Sequence, residues 1–396
     1  MKITDIRSMA LIGPDPHGIG GQPRNWPVLI IRVDTDEGIY GLGEAANLIF
    51  MGMRDALAHI KRCLVGQDPM NIRPIWTDMV YGGLAPHPRT QPPNSVTLGP
   101  IIWAMAGVEM ALCDLVGKAL KTPVYTLLGG QYRDRIRIYL DRSTPEHLDD
   151  LDEWRALGLE AKERGFTDIK FDIDYTASDT QRDVWNRHIP IEQMNRIVER
   201  IGAVREAVGW DMDIAVDCHM HYDVTSAIRL AQELAPFKLK WLEDPTPIIN
   251  PDAVAQVRAQ SPIPICVGEM FTAEQFRLFI GREACDIIHP DVLFTGGLHE
   301  TRTIADYAEL NYIPLAMHNN GCALGTIAAA HVAAASRNFI GLEYHFHDAP
   351  WIGEVVERGR PLFEDGHVQL TDAPGLGVVL NEDVCGRHLA PGETMF

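Results

Sequence analysis

From about residue 135 onward, the sequence repeats one pattern in which a short apolar run is followed by a longer stretch with helical periodicity. This alternation is typical of βα units that build a parallel sheet. Eight repeats within roughly 250 residues or somewhat fewer predict a (β/α)8-type barrel. A doubly wound sheet is the alternative, because the number of strands alone does not close a barrel. The predicted strands are Ile136–Leu140, Asp168–Phe171, Asp213–Val216, Leu239–Leu242, Ile263–Val267, Asp286–His289, Tyr312–Met317 and Phe339–Leu342.

The residues before this repeat have a different pattern. Val28–Val33 predicts a strand, Asp34–Gly38 a turn and Ile39–Ala45 a returning strand, so we expect a β hairpin. Residues 50–125 have helical character, interrupted by a proline-rich segment from Gly82 to Pro100 that predicts a long loop. The N-terminal part of the chain therefore combines strands and helices in another arrangement.

The composition argues against several classes of partner. The formal net charge of −19 at pH 7 disfavours nucleic acid, because phosphate binding needs a basic surface. The most apolar stretch, Pro100–Leu120, carries Glu109, Asp114 and Lys118, which predicts a buried helix instead of a membrane span. The seven cysteines are dispersed without a CxxC pair, and the N-terminus lacks the apolar run of a signal peptide. We therefore expect a cytoplasmic protein with reduced thiols.

Three carboxylates follow three successive predicted strands at equal spacing. Asp217, Glu243 and Glu269 are separated by 26 residues in each step, which is one βα unit. The active site of a parallel barrel lies at the carboxyl ends of its strands, and neighbouring strands are about 4.8 Å apart. Three carboxylates without a cysteine favour a hard cation, and Mg²⁺ is the usual one. The alternative is that each acid caps the helix that follows it.

Two further residues at these strand ends are candidates for proton transfer. Lys170 and Asp172 are two apart on one strand and point the same way, as do Asp217 and His219 on the next. A lysine at the barrel mouth beside carboxylates is an acid/base candidate, although it could instead form a salt bridge with Asp172. His219 could instead be a hydrogen-bonded core histidine.

Asp291 and His318 end neighbouring predicted strands six and seven. A carboxylate that accepts a hydrogen bond from one imidazole nitrogen fixes the tautomer and raises the basicity of the other nitrogen. That is the arrangement that a general base needs. We therefore expect these two residues to form a dyad.

Together these residues and their flanking motifs resemble the mandelate racemase branch of the enolase superfamily. The similarity covers nearly the whole chain. The motifs that carry it, besides the residues above and Glu343, are Gly41-Leu42-Gly43-Glu44-Ala45, Leu127-Leu128-Gly129-Gly130, Trp241-Leu242-Glu243-Asp244-Pro245, and Ile288-His289-Pro290-Asp291 with Gly296-Gly297.

The resemblance implies a modified TIM barrel, (β/α)7β, with an α+β N-terminal capping domain. We expect the capping domain at residues 1–130, the barrel at 131–345 and a C-terminal segment at 346–396. This segment includes the apolar run Gly377–Leu380 and is expected to return to the capping domain.

The resemblance also implies roles for the site residues. Mg²⁺ would be bound by Asp217, Glu243 and Glu269. His318, oriented by Asp291, would be the base on one face, and Lys170 matches the first lysine of the Lys-x-Lys motif on the other. Glu343 is similar to an acid that hydrogen-bonds the substrate carboxylate. The pairing of His or Lys bases with Mg²⁺ is known in this superfamily.

One departure from the family pattern bears on the reaction. Asp172 replaces the second lysine of Lys-x-Lys, which makes a racemase with two bases less favoured. Asp217-Cys218-His219 resembles the Asp-x-His motif of galactonate and mannonate dehydratases, in which the histidine is an acid. The resemblance therefore implies a lyase that dehydrates an acid sugar, with His219 or Lys170 as the proton donor.

We expect the substrate to be a small carboxylate and the chain to form a homo-oligomer. Loops of the capping domain, Gly13–Asn25 and Asn47–Arg54, would read the stereochemistry of the substrate. A cycloisomerase, racemase or epimerase acting through the same enediolate is the first alternative. A non-catalytic protein that binds sugar acids is the second, because a fold does not fix a function.

Overall fold

The computed structural model describes residues 1–19, 22–46, 52–80, 99–142, 144–174, 185–345 and 349–396. The predicted loop from Gly82 to Pro100 lies outside the described residues up to residue 98. The same holds for the first part of Asn47–Arg54 and for the side chains at 16–24 within Gly13–Asn25.

The N-terminal residues form a three-stranded antiparallel sheet in the order β1 (Ile3–Ile19), β2 (Gln22–Thr35) and β3 (Tyr40–Ala45). The predicted hairpin is β2–β3. Its turn closes with a hydrogen bond from the Gly38 amide to the Thr35 carbonyl, and Gly38 takes a positive φ of 75° that glycine adopts without strain.

Four helices follow this sheet: α1 (Met53–Leu64), α2 (Ile72–Asp78), α3 (Pro100–Ala119) and α4 (Val124–Leu127). The glycines of the Gly41-x-Gly43 motif face α3, because a Cβ atom at either position would collide with a backbone carbonyl of that helix. Because these two glycines have no side chain, α3 can lie directly on β3. Helix α3 is long and apolar enough to cross a membrane, but 89% of its most apolar window is buried inside the protein, as in a core helix.

Eight parallel strands form the second part of the chain and match the eight predicted runs. The last strand pairs with the first, with Leu342 opposite Ile138, so the sheet closes into a barrel and the doubly wound alternative is wrong. The strands are β4 (Arg135–Asp141), β5 (Asp168–Asp172), β6 (Asp213–Asp217), β7 (Leu242–Glu243), β8 (Ile265–Val267), β9 (Ile287–Ile288), β10 (Leu315–Met317) and β11 (Phe339–Tyr344).

Seven helices connect these strands, and the chain leaves β11 through a short 3-10 turn, Pro350–Glu354. The described residues therefore have the (β/α)7β arrangement. Helix α9 begins with the predicted capping box, in which the Thr272 amide donates to the Gln275 side chain. The helices are α5 (Leu151–Glu163), α6 (Ile191–Val208), α7 (Val224–Leu234), α8 (Pro251–Gln260), α9 (Ala273–Gly281), α10 (Leu298–Leu310) and α11 (Ala323–Ala335).

The C-terminal segment contacts both parts of the molecule. Strand β13 (His367–Gln369) extends the barrel sheet antiparallel to β4, while β12 (Val356–Glu357) pairs with β14 (Val379–Leu380). After α12 (Glu382–Arg387), the His388 carbonyl accepts from Ile12 and the Ala390 amide donates to Ala10. The segment thus contacts β1 through residues after α12 and through Trp351, whose indole N–H donates to the Pro14 carbonyl at 3.2 Å.

The interior of the barrel is filled with apolar side chains below a polar layer. Tyr139 and Trp241 meet edge to face, with ring centroids 5.3 Å apart, and both are buried. Ala215, Cys266, Ile287 and Ala316 complete this cluster from other strands. The barrel is therefore a packed core, and its polar side chains collect at the carboxyl ends of the strands.

Candidate active site

The three predicted metal ligands converge at the carboxyl ends of adjacent strands. Asp217 ends β6 and lies opposite Glu243, which ends β7, while Glu269 follows β8 by two residues. One oxygen of each carboxylate lies within 4.8 Å of the other two, and all three side chains are buried. A buried set of oxygen donors without sulfur or nitrogen fits a hard divalent cation.

The structure does not support the alternative that these acids cap helices. Helices α7, α8 and α9, which follow the three strands, begin at other N-cap residues: Asp223, Asn250 and Thr272. Burial and the neighbouring Glu243 raise the pKa of Asp217 well above its usual value. Close carboxylates in a dry site repel one another, so this cluster requires positive charge nearby.

Lys170 supplies positive charge at this cluster. Its side chain projects from β5 and is only 1% exposed. Burial alone lowers the pKa of Lys170, but the surrounding carboxylates raise it well above the usual value, so the side chain is an ammonium ion. The predicted alternative of a salt bridge to Asp172 is wrong. The ion pairs of Lys170 are with Glu343 (2.7 Å), Glu243 (2.9 Å), Asp217 (3.2 Å) and Asp141 (3.2 Å).

His219 lies beside the same carboxylates in a turn after β6. Its backbone has a positive φ of 42°, and its amide donates to Asp217 Oδ1 at 2.8 Å. The imidazole Nδ1 lies 3.0 Å from Asp174 Oδ1, which leaves Nε2 directed towards Asp217 Oδ2 at 3.7 Å. The side chain is 33% exposed, so the alternative of a core histidine is wrong. Burial alone lowers the pKa of His219, but Asp217, Asp172 and Asp174 raise it well above the usual value.

The predicted pairing of His318 and Asp291 is present in the structure. His318 Nδ1 and Asp291 Oδ2 are 2.7 Å apart, and Asp291 Oδ1 accepts from the Leu293 amide at 2.7 Å. His318 Nε2 is directed towards the carboxylate cluster and lies 3.3 Å from Glu269 Oε2. Burial opposes protonation of His318, but Glu343, Asp291 and Glu269 raise its pKa to about 9.

Glu343 is the penultimate residue of the last barrel strand, β11, and it contacts both Lys170 and the histidine dyad. Its Oε1 contacts Lys170, and its Oε2 accepts from the Asn319 amide at 3.1 Å and lies 3.7 Å from His318 Nε2. His345, two residues further along the chain, lies 3.4 Å from Glu343 Oε1. Burial opposes ionisation of Glu343, but nearby positive charge holds its pKa well below the usual value. The attraction of Lys170 is the largest of these lowering effects.

Four residues near the site were not predicted: Asp141, Asp174, His289 and His345. His289 follows β9, and its Nε2 lies 3.2 Å from Glu243 Oε1. Asp141 ends β4, the first barrel strand. It directly follows the predicted strand Ile136–Leu140, so its position at a strand end was the signal in the sequence that could have identified it. Asp174 lies beyond the end of β5, where strand periodicity gives no signal.

Comparison with known proteins assigns the family. Residues 153–384 match the family described as "Enolase C-terminal domain-like". Residues 19–129 match the "Mandelate racemase / muconate lactonizing enzyme, N-terminal domain". The chain belongs to the mandelate racemase/muconate lactonizing enzyme branch of the enolase superfamily.

Several relatives of this mandelate racemase-like chain carry dehydratase names. A D-xylonate dehydratase of Haloferax volcanii is 38% identical over 402 residues, which cover 100% of this chain and 90% of that protein. A D-galactonate dehydratase of Pectobacterium atrosepticum is 30% identical over 97% of this chain and 93% of its own length. Dehydratases are hydro-lyases, the enzyme class expected from the sequence.

Solved structures agree with this assignment to the mandelate racemase-like branch. A mandelate racemase/muconate lactonizing enzyme-like protein from Rubrobacter xylanophilus superposes with a TM-score of 0.88 and 36% identity. The superposition covers 100% of this chain and 99% of that protein, so it includes both the capping part and the barrel. The predicted family and fold are therefore confirmed.

Proposed function

We propose that this chain is a Mg²⁺-dependent dehydratase of acid sugars, which removes the proton next to the carboxylate and then eliminates the β-hydroxyl group as water. The observation that carries this proposal is the arrangement around the buried carboxylates. The histidine dyad, Asp291–His318, contacts them at Glu269, whereas Lys170 and His219 contact them at Asp217.

Asp217, Glu243 and Glu269 are the residues that would hold the ion. Their all-oxygen donor set and their burial fit Mg²⁺. When bound, Mg²⁺ stabilises the negative charge that develops on the substrate carboxylate, an effect worth several kcal/mol. The Trp241 indole N–H donates to Glu243 Oε2 at 2.8 Å and holds this carboxylate in place.

His318 is the proposed base, because the positive charge of an ion held by Glu269 and the other two carboxylates would oppose protonation of the imidazole and lower its pKa from about 9. Its Nδ1 is engaged by Asp291, so Nε2 is the nitrogen that takes the proton from C2 of the substrate. The C2–H bond breaks, and its electron pair passes into the carboxylate of the substrate. Glu343 lies between His318 and Lys170 and is placed to hydrogen-bond that carboxylate.

His219 is the proposed acid for the second step. The C3–O bond breaks, the hydroxyl group takes a proton from the imidazole and leaves as water, and the enol product tautomerises to a 2-keto-3-deoxy acid. His219 is favoured over Lys170 because it is one-third exposed at the barrel mouth, whereas the Lys170 ammonium is enclosed by four carboxylates.

The racemase alternative is less favoured by the same residues. A racemase needs a base on each face of the substrate, and the second lysine of the family's motif is Asp172 here. Burial raises the pKa of Asp172, and its Oδ1 has no hydrogen-bond partner among the described residues. Nothing at this position reproduces the lysine base.

The substrate class follows from the relatives and is tested by product analysis. D-xylonate is the first candidate, because the relative of that name is similar over the whole chain. D-galactonate and D-mannonate complete the panel, each incubated with enzyme and Mg²⁺. We expect at least one aldonate to lose one water (about 18 mass units) and yield a keto acid. Excess chelator should stop the reaction.

Glu243→Gln is the matched control, since it preserves size and removes one charge from the proposed ion site. It should give no keto acid under the same conditions. A product of unchanged mass from every aldonate would instead indicate epimerisation, and full activity in chelator would exclude the ion from the mechanism.

A further inference from the structure

A second group of metal-ligating side chains lies away from the barrel mouth. Glu109 and Cys113 are one turn apart on α3, and His299 is the second residue of α10. One ligand atom from each of the three lies within 4.8 Å of the other two. The group therefore joins a helix of the N-terminal part to a helix of the barrel, and it shares no residue with the carboxylate cluster.

The spacing of these atoms is close to that of a tetrahedral zinc site. Zn–S and Zn–N bonds of about 2.3 and 2.0–2.1 Å place a sulfur and a nitrogen ligand about 3.5 Å apart. Cys113 Sγ lies 3.5 Å from His299 Nδ1 and 3.3 Å from Glu109 Oε1. The Glu109 Oε1–His299 Nδ1 distance is 2.6 Å, so this pair must separate the most, by less than about 1 Å, to admit an ion.

The environment of the three side chains provides both enclosure and access. Glu109 and Cys113 are buried, whereas the His299 side chain is 21% exposed and leaves a route from solvent. Glu109 Oε2 accepts from the Leu298 amide at 2.7 Å and Oε1 accepts from the His299 amide at 3.3 Å, so the carboxylate is fixed with Oε1 facing Cys113 Sγ and His299 Nδ1.

We propose that Glu109, Cys113 and His299 bind Zn²⁺, or a transition metal of similar ligand preference, at the junction of α3 and α10. One thiolate, one imidazole and one carboxylate select such an ion over Mg²⁺. Binding releases the thiol proton to solvent and moves the imidazole proton from Nδ1 to Nε2. Water fills the fourth position on the exposed side, and the ion stabilises the contact between the two helices.

Co²⁺ is the probe, because a cobalt–thiolate bond gives a charge-transfer absorption that oxygen ligands do not. Co²⁺ is titrated into the full-length protein in excess Mg²⁺. Cys113→Ser is compared with Cys266→Ser, since Cys266 lies near Glu243 and His289 in the barrel and is the other thiol with such neighbours among the described residues. We expect the absorption in wild type and in Cys266→Ser, and its loss in Cys113→Ser.

Two results would overturn the proposal: no charge-transfer absorption in the wild-type protein, or an absorption that persists in Cys113→Ser. The first needs no variant and so does not depend on how a variant folds. His299→Ala changes a partly exposed side chain, and it should weaken Co²⁺ binding by at least about tenfold. In the wild type, Zn²⁺ should raise the Tm, and this increase should be absent in His299→Ala.

Discussion

Two sets of buried carboxylates in this molecule differ in their partners. At the barrel mouth, Asp217 and Glu243 face Lys170 and each other. At the junction between α11 and the N-terminal sheet, Glu44 faces backbone amides. It accepts from Cys322 and Gly325, both at 2.8 Å, at the beginning of α11.

The difference distinguishes a carboxylate that stabilises the fold from one that can bind an ion and take part in catalysis. Amides at a helix N-terminus are fixed donors that stabilise a carboxylate, and at Glu44 the Cys322 thiol donates as well, at 2.9 Å. Asp114 is intermediate, since it accepts from the Leu42 and Leu376 amides at 2.8 Å and also pairs with Lys118 Nζ at 2.6 Å. The carboxylates at the barrel mouth are instead stabilised by positive charge, which either Lys170 or a bound metal ion can supply. Substitutions in the two sets should therefore have different consequences.

The largest effect is expected for Glu243→Gln. Removal of a charged ligand should weaken Mg²⁺ binding by at least about 100-fold and reduce turnover accordingly. Calorimetric titration of Mg²⁺ measures the affinity. Glu44→Gln is the matched control from the other set, because it makes the same chemical change, and it should bind Mg²⁺ as the wild type does. Equal losses of affinity in the two variants would remove the distinction.

His318→Asn should abolish the proton abstraction while Mg²⁺ affinity stays near that of the wild type. A general base contributes about 10²–10⁴-fold, and a loss of kcat in this range or above is expected. Asp291→Asn should cause a smaller loss, because the amide can present the wrong group to the imidazole. Turnover close to wild type in His318→Asn would assign the base elsewhere, with Lys170 the first alternative.

His219→Asn should separate the two chemical steps. The Asp291–His318 dyad is untouched, so exchange of the substrate α-proton with solvent deuterium should continue. Dehydration should fall by about 10²-fold or more, since the leaving hydroxyl loses its proton donor. If exchange and dehydration both continue at wild-type rates, His219 has a structural role and Lys170 becomes the proposed donor.

The smallest effect concerns stability. Burial raises the pKa of Glu44 to about 7 from its usual 4.5, despite hydrogen bonds from Cys322 and Gly325 that oppose the shift. The folded protein therefore holds this proton more tightly than the unfolded chain. This contribution is full below pH 4.5 and is lost as the pH rises through 7, with a size of about 3 kcal/mol.

Thermal unfolding of wild type and Glu44→Gln between pH 4.5 and 7 measures this contribution. All other titrating groups are common to the two proteins, so their effects cancel in the difference between the two free energies of unfolding. The stability of the wild type relative to the variant should decrease as the pH rises. A difference that is constant or increases across this interval would show that folding does not raise the pKa of Glu44.

The sequence was sufficient for the barrel and for the residues at its strand ends. Equal βα spacing places Asp217, Glu243 and Glu269 on adjacent strands, and the structure brings them together. The spacing predicts which residues meet because strand pairing fixes the height of each residue in the barrel.

Other contacts at the site depend on features that periodicity does not encode. Asp174 contacts His219 from a position past the end of β5, and His345 contacts Asp141 because β11 closes onto β4. Glu44 reaches Cys322 across the junction of the two parts of the chain. Each contact joins residues that only the tertiary fold brings close.

The most direct test of the proposed chemistry is the reaction of D-xylonate, or of the best aldonate in the panel, in D₂O with Mg²⁺, followed by proton NMR. Removal of the C2 proton, loss of the C3 hydroxyl and tautomerisation place one solvent deuteron at C3 of a 2-keto-3-deoxy acid. We expect that singly deuterated keto acid from the wild type and none from His318→Asn. A substrate recovered with deuterium at C2 and inverted configuration, without any keto acid, would contradict dehydration and establish an epimerase.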